Sequence, residues 1–157
     1  MKGLLLWIFA GLLFISVGCD SQRVFEGKKD YSDRYWVFNN PAEFEFEISD
    51  PEKSYNLLVN IRNTSKYQYQ NIYLQYYLED STGRLISKEL KNIQLFNPIT
   101  GVPLGNGLGD LFDIEKPFLE DYTFEHSGKY KLRIDQFMRQ DSLPEILSVG
   151  LRVEYAE

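Results

Sequence analysis

The sequence contains very little of the two residue types that build most metal sites and nucleophilic sites. It has one cysteine, Cys19, and one histidine, His126, among 157 residues. A single cysteine excludes an internal disulfide, and two such residues cannot form a Cys/His zinc cluster. We therefore predict no metal site and no bound cofactor, and no Cys–His catalytic pair if Cys19 serves another purpose.

Basic charge is scarce as well. Lys and Arg number 17 against 23 Asp and Glu, which gives a net charge of −6. Contact with a phosphate backbone needs clustered Lys and Arg, so the composition predicts no nucleic-acid partner.

The uncharged N-terminal stretch from Leu4 to Val17 is shorter than the roughly 20 residues that a helix needs to cross a bilayer.

That N-terminal stretch has the length of the apolar part of a secretory signal, and it follows the positively charged Lys2. Small residues lead to Gly18 and then to Cys19, an arrangement that resembles the bacterial lipobox, in which the signal is cut before a lipidated cysteine. We predict a lipoprotein signal peptide over residues 1–18 and lipidation at Cys19, so that acyl chains anchor the protein to a membrane. An ordinary signal peptide with an incidental cysteine, or an N-terminal anchor helix, is the alternative.

From residue 35 onward, apolar residues recur with a period of two. Phe44, Phe46 and Ile48 alternate with glutamates, and turn signals such as Asp50-Pro51 and Ser127-Gly128 separate similar runs. This pattern predicts an all-β fold over residues 35–157, a single antiparallel β-sandwich. The absence of a cysteine pair favours a jelly-roll-like order over an immunoglobulin-like one. The polar residues 19–34 are predicted to form a flexible tether.

One segment, residues 97–110, interrupts the alternation with four glycines and two prolines. A loop of this length and composition is typical of a functional or a mobile segment. The alternative is structural: glycines that satisfy positive φ angles, with Leu108 plugging the end of the sandwich. The candidate interaction loop consists of Leu104, Gly105, Asn106, Gly107, Leu108, Gly109 and Asp110. A phosphate cradle is disfavoured because Leu111 onward indicates a strand where the fingerprint requires a helix.

Several segments together resemble a known family. They are Leu104-Gly-Asn-Gly-Leu-Gly-Asp110 with Leu111-Phe112-Asp113, the start Cys19-Asp20-Ser21-Gln22-Arg23-Val24-Phe25, residues Asn60, Arg62, Thr64 and 67–72, and the end from Gln136 to Glu154. Their order and spacing are similar to those of the gliding-motility-associated lipoprotein GldH of the Bacteroidetes. The resemblance implies a non-enzymatic envelope lipoprotein, in the outer membrane, that supports gliding and the associated secretion machinery. It also implies that other envelope or gliding-machinery proteins are the partners, with no small-molecule substrate.

Three residue groups carry competing hypotheses. His126 lies in a predicted turn, which argues against a Ser–His–Asp base and favours an exposed position. Asp110, Asp113 and Glu115 offer hard oxygen ligands that would suit Ca²⁺. The tyrosines near one predicted strand could stack on sugar rings, which makes a lipid-anchored carbohydrate-binding module the alternative function; they are Tyr67, Tyr69, Tyr73 and Tyr77.

Overall fold

The computed structural model describes residues 21–156, and Cys19 and the predicted signal peptide lie outside the described residues. The described chain consists of strands and loops without a helix, so it contains no helix long and apolar enough to cross a membrane. The eleven strands are β1 (Arg23–Asp30), β2 (Tyr35–Val37), β3 (Ala42–Ile48), β4 (Ser54–Thr64), β5 (Asn71–Asp80), β6 (Leu85–Gln94), β7 (Asn106–Leu108), β8 (Leu111–Thr123), β9 (Gly128–Gln136), β10 (Ser142–Pro144) and β11 (Ile146–Tyr155).

Two antiparallel sheets form the sandwich. One has the order β1-β11-β4-β8-β7 and the other β3-β9-β5-β6, while β2 and β10 form a separate two-stranded mini-sheet. If the three short strands are left aside and the long ones are numbered by chain order, the sheets read 1-8-3-6 and 2-7-4-5. This is the strand order of a jelly roll, so the predicted β-sandwich is confirmed, and the order agrees with the jelly-roll preference.

Alternation places the core between the sheets. In β3 the residues Phe44, Phe46 and Ile48 are buried while the intervening glutamates are exposed. Those glutamates, Glu43, Glu45 and Glu47, lie opposite Arg133, Lys131 and Lys129 of β9. Opposite charges on facing strands stabilise a solvated sheet face, which is where the sequence pattern placed them.

The predicted tether is wrong for most of its length. Residues Arg23–Asp30 form β1, an edge strand paired with β11 along its length. The side chain of Phe25 turns inward, with its ring centroid 6.4 Å from that of Phe44 and 6.0 Å from that of Phe46. The strand was missed because its outward positions carry charge and Gly27 interrupts the inward ones. The domain therefore begins at Arg23, not at residue 35.

Candidate functional site

The two ends of the sandwich carry different parts of the chain. The start of β1 lies at one end, where the Tyr155 N–H donates to the Gln22 carbonyl at 2.9 Å. We call this end the base; it also holds the turns at 49–53, 81–84 and 124–127. The opposite end, the distal end, holds the loops 31–41, 65–70, 95–110 and 137–145, because the long strands run from one end to the other. The candidate interaction loop is thus distal.

The first half of the glycine-rich segment is an ordered hairpin that continues β6. The Asn97 side-chain oxygen accepts the N–H groups of Ile99 and Thr100 at 2.9 and 3.0 Å. The Asn97 N–H donates to the Val102 carbonyl at 2.8 Å, and Phe96 pairs with Pro103. An Asx-type turn of this kind fixes the loop tip without help from the core.

The second half is a hairpin between β7 and β8. Leu108 pairs with Leu111 across the two-residue turn Gly109-Asp110. Gly109 has a φ of 70°, which fits the first central position of a type II′ turn, where glycine is preferred. The Asp110 carbonyl accepts the Ser65 N–H at 2.9 Å, which attaches this turn to the end of β4.

Gly105 and Gly107 bring the segment against the domain's own sheet. A Cβ atom at Gly105 would lie 2.5 Å from the Asp113 carbonyl oxygen, and one at Gly107 would lie 2.2 Å from the Leu111 carbonyl oxygen. These two glycines therefore serve close backbone approach within the fold. The structural alternative for Leu108 is wrong, because this side chain is 91% exposed and does not plug the sandwich.

The apolar side chains of this region face solvent. Ile99 is 92% exposed and Val102 58%, while Leu104 and Leu111 are 47% and 36% exposed. We call Ile99, Val102, Leu104, Leu108 and Leu111 the glycine-loop surface. Asn106 is exposed beside it, opposite Asp113 in the β7–β8 pairing. Exposed apolar side chains on ordered hairpins can bind another apolar surface without a large ordering cost.

The acidic residues beside the loop have other contacts. Both carboxylate oxygens of Asp113 accept hydrogen bonds from the Arg62 guanidinium at 2.8 Å, an interaction that raises the pKa of Arg62. Burial raises the pKa of Glu115, although the nearby Arg152 opposes that effect. No group of three or more His, Cys, Asp or Glu side chains within residues 21–156 is placed to hold a metal ion. Asp113 therefore acts in an ion pair with Arg62.

The four tyrosines do not form a row of exposed, coplanar rings, because only Tyr73, at 38%, is exposed. Tyr67 is 5% exposed and packs edge-to-face on Tyr69 at 5.6 Å. Tyr77 is covered by cations, with the Arg133 guanidinium carbon 4.1 Å and the Lys88 Nζ 4.9 Å from its ring centroid. Glycan platforms need exposed, coplanar rings, so the carbohydrate-binding alternative loses the observation that suggested it.

His126 lies in the turn between β8 and β9 at the base, where it is exposed. Its backbone carbonyl accepts the Tyr130 hydroxyl at 2.7 Å. The exposed turn position expected from the sequence is confirmed.

Sequence reasoning missed a second apolar group at the distal end. The mini-sheet of β2 and β10 buries Trp36 and Leu143 completely, and these side chains close the distal end of the core. On the outer side, Tyr35, Val37 and Phe38 are 51%, 44% and 48% exposed. The signal in the sequence was the uninterrupted apolar run Tyr35-Trp-Val-Phe38, which a period of two does not explain.

Comparison with known proteins adds a family relation. A family model for the GldH lipoprotein matches residues 23–153. The chain is 33% identical over 159 residues to a gliding motility lipoprotein GldH homolog of Christiangramia forsetii, covering 97% of this chain and 94% of the relative. It is 32% identical over 154 residues to gliding motility lipoprotein GldH of Flavobacterium johnsoniae, covering 94% of this chain and 92% of the relative.

Solved structures are more distant. One similar structure is a carbohydrate-binding module, CBM28, specific for non-crystalline cellulose, with 11% identity and a TM-score of 0.45 over 84% of this chain and 73% of that one. A likeness at this level carries no functional argument.

Proposed function

The chain belongs to the GldH lipoprotein family, and from this premise we propose that it is a non-enzymatic, lipid-anchored adaptor of the outer membrane. In this role it supports the gliding-motility machinery and the secretion machinery associated with it. The proposal assigns the glycine-loop surface as the place where a protein partner binds. It assigns no catalytic residue, no cofactor and no small-molecule substrate.

The position of the predicted anchor supports this role. Only Asp20, Ser21 and Gln22 separate Cys19 from the first residue of β1. A chain this short reaches at most about 14 Å, at roughly 3.5 Å per residue. A lipid on Cys19 would therefore hold the base of the domain close to the membrane surface.

The observation that carries the proposal is that the glycine-loop surface lies at the other end. β4, which ends beside the loop at Thr64, spans roughly 36 Å at about 3.3 Å per residue. If the anchor is at the base, the exposed apolar tips at the distal end lie away from the bilayer. They are then accessible to other envelope proteins. Ile99 and Leu108, each more than 90% exposed, are the most protruding of them.

A charge placed on this surface tests the proposal. In Leu108→Lys the new ammonium sits on an exposed tip, so the melting temperature should stay within about 2 °C while gliding and secretion are lost in a deletion strain. The matched control is Leu85→Lys, which changes a leucine that is 49% exposed at the base. If Leu108→Lys folds normally and still complements the deletion, the glycine-loop surface is not the interface.

A further inference from the structure

Exposed apolar side chains are concentrated at the distal end. Within residues 21–156, twelve large hydrophobic side chains are exposed, and nine of them lie in the distal loops, in β2 or at the first residue of β8. Five form the glycine-loop surface; the other four are Tyr35, Val37 and Phe38 on the mini-sheet and Phe137 on the loop that leads into β10. We call these four the mini-sheet surface.

We propose that the mini-sheet surface and the glycine-loop surface form one docking site for a single folded protein partner with an apolar contact area. This proposal rests on the proposed function, since it extends the interface assigned there. It commits to a folded protein as the occupant. A second copy of this chain and a second membrane are outcomes that the experiment below can reveal.

The two surfaces are held together by backbone hydrogen bonds at the end of β4. The Ser65 N–H donates to Asp110, in the turn of the glycine loop. The preceding residue, Thr64, donates its N–H to the Glu145 carbonyl at 3.1 Å and its hydroxyl to the Glu145 carboxylate at 2.7 Å. Ser65 is thus bonded to the glycine-loop side and Thr64 to the mini-sheet side. Because these two residues are adjacent, the bonds fix the position of the two surfaces relative to each other.

The connection continues into the mini-sheet. The Glu145 N–H donates to the Arg34 carbonyl at 2.7 Å, and the Arg34 guanidinium lies 3.8 Å from the Glu145 carboxylate. Arg34 and Glu145 both have positive φ values, 59° and 68°. Such backbone strain persists only where the surroundings fix the conformation, and it is found often at binding sites.

The size of the combined surface matches a folded partner. The distance from Leu111 on β8 to Tyr35 on β2 is roughly 15 Å. This estimate follows because β4 and the start of β11 lie between them and neighbouring strands are about 4.8 Å apart. The exposed fractions of the nine side chains correspond to roughly 900 Å² in total, close to the ~800 Å² that one partner contributes to a standard interface.

The geometry also argues for a partner other than a second copy. Two copies that meet at their distal ends would carry their predicted lipid anchors at opposite ends of the dimer. The anchors could then not enter one leaflet. A membrane at the distal end would likewise have to lie a whole domain length from the membrane that holds Cys19.

The experiment compares one charge in each surface. Full-length, lipidated Val37→Lys, Leu108→Lys and the base control Leu85→Lys are purified from envelopes in detergent, and the proteins retained by each are quantified by mass spectrometry. The protein most depleted by Leu108→Lys is then purified and titrated against each variant. A single site predicts that Val37→Lys weakens binding of this protein at least tenfold, as Leu108→Lys does, while Leu85→Lys has little effect. Thermal unfolding of each variant checks the fold, and Tyr35→Lys replaces Val37→Lys if the latter unfolds.

The outcomes separate the two proposals. If Leu108→Lys loses the partner and a folded mini-sheet variant retains it, the single site is overturned while the adaptor function stands. If neither Leu108→Lys nor Val37→Lys loses any protein that the wild type retains, both proposals fail. A wild-type dimer in detergent that Val37→Lys and Leu108→Lys dissociate would assign the surface to a second copy. Binding of nanodisc-held protein to phosphatidylcholine vesicles, lost in both variants, would assign it to a membrane; either result overturns the proposal.

Discussion

At the scale of single residues, the glycines of the distal loop have separate physical tasks. Gly109 adopts a positive φ that the two-residue turn requires, whereas Gly105 and Gly107 lack a side chain because the backbone of β8 occupies that space. Leu108 stands between two of these glycines and is almost fully exposed. The glycines therefore determine the conformation of the loop, and the leucines and Ile99 provide its exposed apolar surface.

Gly107→Ala tests the structural part of this division. The added methyl carbon would lie 2.2 Å from the Leu111 carbonyl oxygen, so β7 must move away from β8. We expect a loss of about 1–3 kcal/mol in the free energy of unfolding, the usual cost of an overpacked position, measured by urea denaturation. Leu108→Ala is the control and should change this free energy by less than about 0.5 kcal/mol. Equal stability of Gly107→Ala and wild type would contradict the close approach.

At the scale of elements, the N-terminal strand shows what an alternation pattern can predict and what it cannot. β3 was readable because apolar and acidic residues alternate without a break, and its burial follows that pattern position by position. β1 was not readable, because its half-buried positions are Val24, Phe25, Gly27 and the charged Lys29, amid charged neighbours. Its strand character comes from pairing with β11, which is distant in the sequence.

One part of the candidate site could be predicted from the sequence and the other could not. The glycine-rich segment can be recognised because its unusual composition lies within one short stretch of the chain. The mini-sheet surface depends on β2 pairing with β10, more than a hundred residues later, and on Trp36 turning inward while its two neighbours turn out. Residue patterns within one segment cannot predict such a pairing. They also could not separate the ion pair of Arg62 and Asp113 from a calcium ligand set.

Phe25→Ala tests whether β1 belongs to the core. The Phe25 ring fills the space above Gly27, where a Cβ would lie 2.8 Å from the ring, and it contacts two phenylalanines of β3. We expect the free energy of unfolding to fall by about 2–4 kcal/mol, since the ring is only partly buried. Lys28→Ala, an exposed change in the same strand, is the control. A flexible tether would predict no difference between the two variants.

The turn between β5 and β6 predicts a dependence of stability on pH. Hydrogen bonds from the Thr82 hydroxyl, and then from the Thr82 and Arg84 N–H groups and the Arg84 side chain, lower the pKa of Asp80. A carboxyl with a lowered pKa in the folded state stabilises the fold above its ordinary pKa of about 3.9, and that stabilisation is lost as the pH falls through the lowered value.

Asp80→Asn should therefore lower the melting temperature at pH 7, and the difference from wild type should shrink as the pH falls below about 3.9. Thermal unfolding from pH 7 to pH 2 measures this difference. The control is Asp50→Asn, in a turn where the carboxylate accepts one N–H, from Glu52, and lies 3.9 Å from the Lys53 Nζ, so its effect at pH 7 should be smaller. A difference for Asp80→Asn that does not change with pH would show that the charge of Asp80 is not the cause.

At the scale of the whole molecule, the base and the distal end have different surfaces. The turns of the base, together with Asp80 at the end of β5, carry more acidic than basic side chains, and the net charge of the chain is −6; the acidic ones are Asp50, Glu52, Asp80 and Glu125, and the basic ones are Lys53 and Arg84. An acidic base does not favour adsorption to anionic lipid. Under the proposed lipidation, attachment to the membrane would then depend on acyl chains on Cys19, and the distal apolar surface would remain available to a protein partner.

Cys19→Ser tests this dependence. Without the thiol no acyl chain can be attached, so the variant should appear as unprocessed precursor or as protein released from the membrane fraction, and mass spectrometry should find no lipid-modified N-terminus. The folded domain begins at Arg23, so circular dichroism and the melting temperature of the released protein should match those of the wild-type domain. Loss of gliding and secretion with an intact fold would show that function needs the anchor as well as the distal surface. Wild-type protein with a mature N-terminus other than Cys19, or a Cys19→Ser protein that stays in the outer-membrane fraction, would contradict lipid anchoring at this residue.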